Sequence, residues 1–492
     1  MNFKLLLILF IVLCSARLHA QQLVLPGIFS DHMILQRGME PPIWGRAKAN
    51  TNVIVLFNGF KKSFPCNSAG NWSGRLPEPK TGKIYTITII NENEKISISD
   101  VIGGDIFYAG GQSNMQYSLE EATGGQEAIN SSANNSIRLF TVPGDVAYKP
   151  RFDINRKAGN DKTDGKWLLS SPENVKNFSA VAYFFARKVN AEEKVPVGII
   201  NVSWGGTPIE AHMSEAANRS LPYYVEALDM MKEKSDKDSL VIDKSKATPQ
   251  LPSSLYNAMI HPLIPFGLKG FLWYQGEHNW NNPFRYREQF ISFINDLRIQ
   301  WKCGYLPFYF VQLPNVGKKS ENPNRVDFWS VLRESQSMAL RLPHTGMVVS
   351  ADIGDGDLHP KNKLPFGERL AALALRNIYH KNISSDGPIL TTVNILRDTV
   401  ELTFDAAEST RLQFKGPIST GFAIAGSDKK FYWAKAVIKG NKVHVSSQSV
   451  LQPYAVRYGW GENPELSLFD SDGWPVAPFR TDKWALPEDG KW

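Results

Sequence analysis

Four short blocks of the chain combine residue types that hydrolytic chemistry uses. Gly110-Gly111-Gln112-Ser113-Asn114-Met115 sets a serine in a glycine-rich turn, and Ser203-Trp204-Gly205-Gly206-Thr207-Pro208 sets two glycines in another. Gln275-Gly276-Glu277-His278 brings a side-chain amide, and Asp352-Ile353-Gly354-Asp355-Gly356-Asp357-Leu358-His359-Pro360 brings acids beside a histidine. Together they supply a nucleophile, oxyanion donors, and a base with an orienting acid. A serine hydroxyl is a weak nucleophile at neutral pH, so something must take its proton. His359 is the expected base, returning that proton later to the departing hydroxyl. Ser113 at the start of a helix would also have its developing negative charge favoured by the helix N-terminus. The backbone N–H of Ser113, that of Gly206 (or Gly205) and the Gln275 amide are the expected oxyanion donors. Losing one such donor typically costs about 10²–10³ in rate. Asp357, two residues before His359, is the expected orienting acid, while Asp352 and Asp355 read as groups that structure the loop.

Each block alone has an ordinary explanation. A serine in a glycine-rich turn commonly caps a helix, and seven other histidines follow residue 20. What sets the four blocks apart is their order and placement. Each block follows an apolar run of strand length: Asp105–Ala109, Val197–Val202, Gly270–Tyr274 and Met347–Ser350, with Phe308–Val311 as a further strand. Helical periodicity fills the intervals at Ala180–Ala191, Phe284–Trp301, Phe328–Leu342 and Phe366–Tyr379. Alternating strands and helices predict an α/β domain over 101–385 with a parallel central sheet in a three-layer α/β/α arrangement. In such sheets ligands bind beyond the carboxyl ends of the strands, where all four blocks lie.

The flanks have a different texture. Residues 21–100 and 386–492 alternate with period two between turn signals such as Asn58-Gly59 and Gly440-Asn441, predicting two β-sandwich-like domains. The Lys-, Glu-, Asp- and Met-rich segment 214–250 interrupts the α/β rhythm and reads as a partly helical cap or a solvated insertion. Residues 1–20 have the layout of a cleavable signal peptide, with Lys4 ahead of the apolar run Leu5–Leu13 and Ala20 before Gln21. Export to the periplasm or the cell exterior is therefore expected. No later run approaches the roughly 20 apolar residues of a membrane helix. The net charge of +7 over 492 residues is too dilute for a nucleic-acid partner. Cys66 and Cys303 could form one disulfide, but no His/Cys/Asp spacing suggests a metal, and the chemistry requires no cofactor.

These blocks resemble the SGNH-hydrolase superfamily, and within it the sialate O-acetylesterase family. The resemblance spans nearly the whole chain, from Phe29-Ser-Asp-His-Met-Ile-Leu-Gln36 to Pro478-Phe-Arg-Thr-Asp482. It includes Gln112-Ser-Asn-Met115, Trp204-Gly-Gly-Thr-Pro-Ile-Glu210, Trp273-Tyr-Gln-Gly-Glu277, Asp357-Leu-His-Pro-Lys-Asn-Lys363 and Gly421-Phe-Ala-Ile-Ala-Gly426. Two positions depart from the superfamily pattern: Gln275-Gly276-Glu277 stands where an Asn donor is usual, and Gly356 stands where an Asp three residues before the base is usual. The sequence around Ser113 is not Gly-x-Ser-x-Gly, which argues against an α/β-hydrolase elbow.

The resemblance implies a secreted serine esterase that removes O-acetyl groups from carbohydrate, most naturally sialic acids, through an acetyl-serine intermediate. Deacetylation of xylan or another plant polysaccharide is the alternative within the same chemistry. A sugar-binding protein without activity is the alternative outside it, and retention of Ser113, His359 and an acidic neighbour favours the enzyme. Trp204, Glu277, His278 and Trp280 lie in or beside the blocks and are the candidates for touching sugar. Trp273 and Tyr274 share that position, though Trp273 belongs to a strand and fits a core role. Arg285 and Arg287 could meet a carboxylate or simply face solvent.

Overall fold

The computed structural model describes residues 22–156, 165–237, 248–319, 321–405, 411–416 and 419–490. The leader expected at 1–20 lies outside the described residues, as does part of the 214–250 segment. No helix among the described residues is long and apolar enough to cross a membrane.

The core of the fold is a seven-strand path of β1 (Glu94–Gly111), β2 (Asn134–Thr141), β3 (Trp167–Ser170), β4 (Val197–Ser203), β5 (Gly270–Tyr274), β6 (Phe308–Val311) and β7 (Thr345–Val348). Their spatial order is β7-β6-β5-β1-β4-β2-β3, and every pair is parallel except β2–β3. The register puts Gly111 of β1 opposite both Ser203 of β4 and Tyr274 of β5, so three strands end at one level.

Successive side chains on a strand face opposite ways, and both faces here are covered. Ile106, Tyr108, Phe271 and Trp273 pack on one side, with Phe290, Phe293 and Ile294 of α3 (Pro283–Trp301). Phe107, Ala109, Leu272 and Tyr274 pack on the other, against α2 (Ala180–Glu193) and α5 (Leu364–Asn377). This double burial explains why the strands read as continuous apolar runs. The result is the three-layer α/β fold with additional β modules at both ends.

The N-terminal strands Ile34–Gln36, Asn52–Phe57, Phe60–Pro65 and Ile84–Asn91 join the same sheet through the first half of β1. The Asn58-Gly59 turn closes the expected hairpin, with φ of 48° and 82° at its two residues, as a two-residue hairpin turn of this type requires. β1 continues through position 100/101, bulged at Asp100 (φ 51°), so no linker separates this module from the central sheet. The C-terminal module has its own antiparallel sheets and its own core around Val400, Leu402, Ile424, Val443 and Tyr458. Cys66 and Cys303 are separate free thiols, so the disulfide that the sequence allowed is absent.

Candidate active site

Gly111, the last residue of β1, determines how the nucleophile is presented. Its φ is +145°, and a Cβ there would lie 2.1 Å from the Tyr274 carbonyl oxygen. Only glycine lets the chain pass so close to β5 and turn outward. The Gln112 N–H donates to Tyr274 O (3.2 Å) and the Trp204 N–H donates to Gly111 O (3.1 Å), tying the three strand ends together. Ser113 then opens α1 (Ser113–Gln116), a single turn. So short a helix has little macrodipole, which leaves its unbonded first N–H groups as what it can offer a developing negative charge.

His359 arrives from the loop between β7 and α5. Its Nε2 lies 2.7 Å from Ser113 Oγ, a hydrogen bond spanning 246 positions of sequence. The nucleophile and base expected from sequence are therefore brought together. Burial and the charge of Lys363 hold the His359 imidazole below its ordinary pKa, while Asp357 pushes it upward. A base kept neutral near pH 7 is ready to accept the hydroxyl proton.

Asp357 does not take the position expected of an orienting acid. Its Oδ1 accepts the backbone N–H of His359 (3.0 Å), and no hydrogen bond joins it to the ring. A two-residue spacing forms an Asx-type turn, which commits the carboxylate to the main chain. It remains near enough to act on the ring through its charge. Asp355 repeats the motif, accepting the Asp357 N–H (3.0 Å), and Asp352 is held by Arg369 at 2.6 and 2.7 Å.

The oxyanion donors also need correction. Gly205 passes directly beside the nucleophile, since a Cβ there would lie 3.4 Å from Ser113 Cβ, but its N–H donates to Gln116 Oε1 (2.8 Å). Gly206 follows with φ of 68°, its N–H without a protein acceptor among the described residues. Gln275 is fully buried and gives its amide hydrogens to Thr207 O (3.2 Å) and Asn279 Oδ1 (2.8 Å). It props the glycine turn from beneath and has no hydrogen left for an oxyanion.

Two residues that the sequence reading passed over lie directly under the catalytic pair. Asn114 Nδ2 donates to Glu277 Oε1 (2.5 Å) and to the carbonyl of Leu358 (2.9 Å), the residue before the base. Lys363 Nζ donates to Asn114 Oδ1. Glu277 is thus buried support rather than a sugar contact, and burial raises its pKa. Both missed residues stood inside the motif blocks, Asn114 next to the serine and Lys363 four places after the histidine. A fully buried lysine is rare enough that composition would not suggest it.

The remaining candidates line the rim or lie elsewhere. The His278 N–H donates to Gln112 Oε1 (3.1 Å), which seats this exposed residue beside the nucleophile turn. Trp280 is 42% exposed and packs on Phe328, with ring centroids 4.8 Å apart. Trp204 is half-buried, its ring against Gly144. Trp273 is core, 4.4 Å from the Phe293 ring. Arg287 pairs with Glu334 at 3.2 Å, and Arg285 lies over the Tyr223 ring, so both are engaged away from the serine. Within 214–250, the helices Glu215–Arg219 and Val225–Lys237 are formed, and residues 238–247 lie outside the described residues.

A serine–histidine pair at the carboxyl edge of a parallel sheet, beside a glycine turn, is the arrangement that serine hydrolases use. Residues 103–376 match the family described as carbohydrate esterase, sialic acid-specific acetylesterase. Human (Homo sapiens) sialate O-acetylesterase is 30% identical over 504 aligned positions, covering 92% of this chain and 91% of the human one. The sialate O-acetylesterase of Pongo abelii is 29% identical over the same shares. The crystal structure of a carbohydrate acetylesterase from Xanthomonas citri superposes with a TM-score of 0.83 at 37% identity, covering 94% of this chain and 100% of that one. The chain belongs to the sialic acid-specific acetylesterase family of carbohydrate esterases, and it is a carboxylic ester hydrolase.

Proposed function

We propose that this protein removes O-acetyl groups from sialic acids through an acetyl-serine intermediate, after export directed by residues 1–20. The observation that carries the mechanism is the 2.7 Å contact between His359 Nε2 and Ser113 Oγ. His359 takes the hydroxyl proton as Oγ attacks the acetyl carbonyl, and the charge that develops on the carbonyl oxygen meets the N–H groups of Ser113 and Gly206. Collapse of that adduct expels the sugar hydroxyl, which receives the proton from His359. Water then repeats the sequence on the acetyl-serine and releases acetate. In this reading 101–385 carries the chemistry and 21–100 and 386–492 flank it. Sialic acid as the acetyl carrier is supported by the two mammalian relatives that bear its name. The intact serine–histidine contact disfavours an inactive sugar-binding role.

Acetate release from O-acetylated sialic acid and from acetylated xylan tests the substrate, with Ser113→Ala as the control. We expect kcat/KM at least about tenfold higher on the sialate and Ser113→Ala to fall by about 10³ or more with an unchanged melting curve. A preference for xylan would replace the substrate. Activity persisting in Ser113→Ala would end the serine mechanism. Sequencing of the native N-terminus should begin near Gln21, and an intact Met1 would end the export reading.

A further inference from the structure

Beneath the catalytic pair lies a group that the mechanism does not use. Lys363 has no solvent exposure, although a lysine side chain ordinarily keeps its ammonium in water. Its Nζ is instead held on Asn114 Oδ1 and enclosed by the rings of Tyr117, Tyr274 and Phe366, with ring centroids 4.7, 5.7 and 5.6 Å away. Asn114 follows the nucleophile directly. Its own amide hydrogens go to the Leu358 carbonyl and to Glu277. One side-chain amide therefore joins the helix of Ser113, the loop of His359 and the end of β5, and Lys363 is the donor that fixes which way this amide faces. If the amide turned over, its two hydrogens would face the ammonium and the Leu358 carbonyl would lose its donor.

We propose that Lys363 is a positioning residue for ester hydrolysis, its ammonium on Asn114 locking the loop that carries His359 to the helix that carries Ser113. This inference rests on the serine mechanism proposed above. Burying a lysine is costly, and burial pushes Lys363 down to about 7 against the pull of Glu277, Asp355 and Asp357. The groups facing it are Asn114 from α1 and Tyr117 just after it, Tyr274 at the end of β5 and Glu277 from the turn that follows, Phe366 from α5, and Asp355, Asp357 and His359 from its own loop. Its charge also acts on the imidazole, lowering the pKa of His359, whereas Asp357 raises it. The two residues thus act on the base in opposite directions.

The test compares Lys363→Met, Lys363→Gln and Asp357→Asn by kcat, KM and the acid limb of kcat/KM on 4-nitrophenyl acetate. Met removes both the donor and the charge, while Gln keeps an N–H but loses the charge. We expect Lys363→Met to lower kcat by about tenfold to a hundredfold with little change in KM, because sub-ångström misplacement of a base is expensive. Both Lys363 variants should move the acid limb to higher pH, and Asp357→Asn should move it to lower pH. Folded Lys363 variants with kcat within about twofold of the parent and an unmoved acid limb would overturn the inference. If Lys363→Met does not fold, the Gln variant alone decides on the same two readouts. Ser113→Ala separates the two levels: activity surviving there removes the serine mechanism itself, whereas its loss beside indifferent Lys363 variants removes only the role of Lys363.

Discussion

The two β modules look alike in sequence but meet the catalytic sheet in different ways. The N-terminal module is continuous with it. β1 pairs with Ile84–Asn91 over its first half and with β4 and β5 over its second, and it ends at the nucleophile turn. The apolar side chains follow the strand, since Phe29 packs on Phe266 with ring centroids 5.6 Å apart and Trp167 Nε1 donates to Ile28 O (2.8 Å). At the junction the buried Asp105 carboxylate accepts from Arg37 (2.7 and 3.0 Å), Gln36 (3.0 Å) and the Tyr379 hydroxyl (2.9 Å), fastening module, sheet and the turn after α5 at one point.

The C-terminal module instead keeps its own core and meets the catalytic domain mainly through polar groups, with only a few apolar side chains such as Leu466 and Ala477 packed on the central core. The buried Arg333 guanidinium, on α4 (Phe328–Ser337), donates to the carbonyls of Leu313 and Pro314 on one side and of Gly461 and Glu462 on the other. Arg480 pairs with Glu334 at 2.7 Å. A shared strand transmits unfolding as one event, whereas a polar seam lets two cores melt separately. The comparison teaches that one module is part of the enzyme's frame and the other is fitted against it.

The sharpest way to break this contrast is Val101→Asp, at the fully buried centre of β1. An unpaired carboxylate there should cost about 4 kcal/mol or more and abolish activity together with the main melting transition. An active, folded Val101→Asp protein would show that the two halves of β1 are independent. Leu402→Ala, in the C-terminal core, should cost about 2–5 kcal/mol, but within that module only. Calorimetry should show one transition lowered and another unmoved, with kcat at 20 °C within about twofold of the parent. A single transition that shifts as a whole would mean the polar seam is as binding as the shared strand. The smallest effect is expected at Asn463, which receives a hydrogen bond from Asn315 (2.8 Å) and donates to Gly317 O. A Cβ on Gly356 would lie 3.3 Å from Asn463 Nδ2, so the module touches the loop that bears His359. Asn463→Ala should therefore lower kcat by a few fold and stability by about 1 kcal/mol. An unchanged kcat would confine the module to a structural role.

Much of the fold was legible because its signals are local. The double-faced strands read as apolar runs, and the Gly440-Asn441 turn marked its hairpin directly. β1 was not legible as one strand. Its first half, Glu94 to Asp100, is half solvated and alternates, while Val101 to Gly111 is buried on both faces. The change of texture at residue 100 thus marks a change of burial along a single strand. β2 was missed because Asn134-Asn135-Ser136 reads as loop and only Ile137–Phe140 has strand character buried on both sides.

At the site, placement of Ser113 and His359 at strand ends was readable from topology. The aim of individual polar groups was not. Spacing gave no sign that Asp357 would turn to the main chain, that Gln275 would face Thr207, or that Lys363 would point inward. Those choices depend on partners far away in sequence, as Asn114 and Lys363 do across 249 positions.

The double role of β1 also dictates the order in which the protein can be assembled. Synthesis completes Glu94–Gly111 before β4 at Val197–Ser203 or β5 at Gly270–Tyr274 exists. The N-terminal module can close early around the first half of the strand. The second half must then wait as an apolar segment with both edges open, the condition most exposed to wrong pairing. Ser113 lies just past the tip of that waiting segment, and His359 is made later still. The emerging chain therefore carries Ser113 as an isolated hydroxyl, and its contact with His359 forms only when the last of the sheet and the loop after β7 have closed around it.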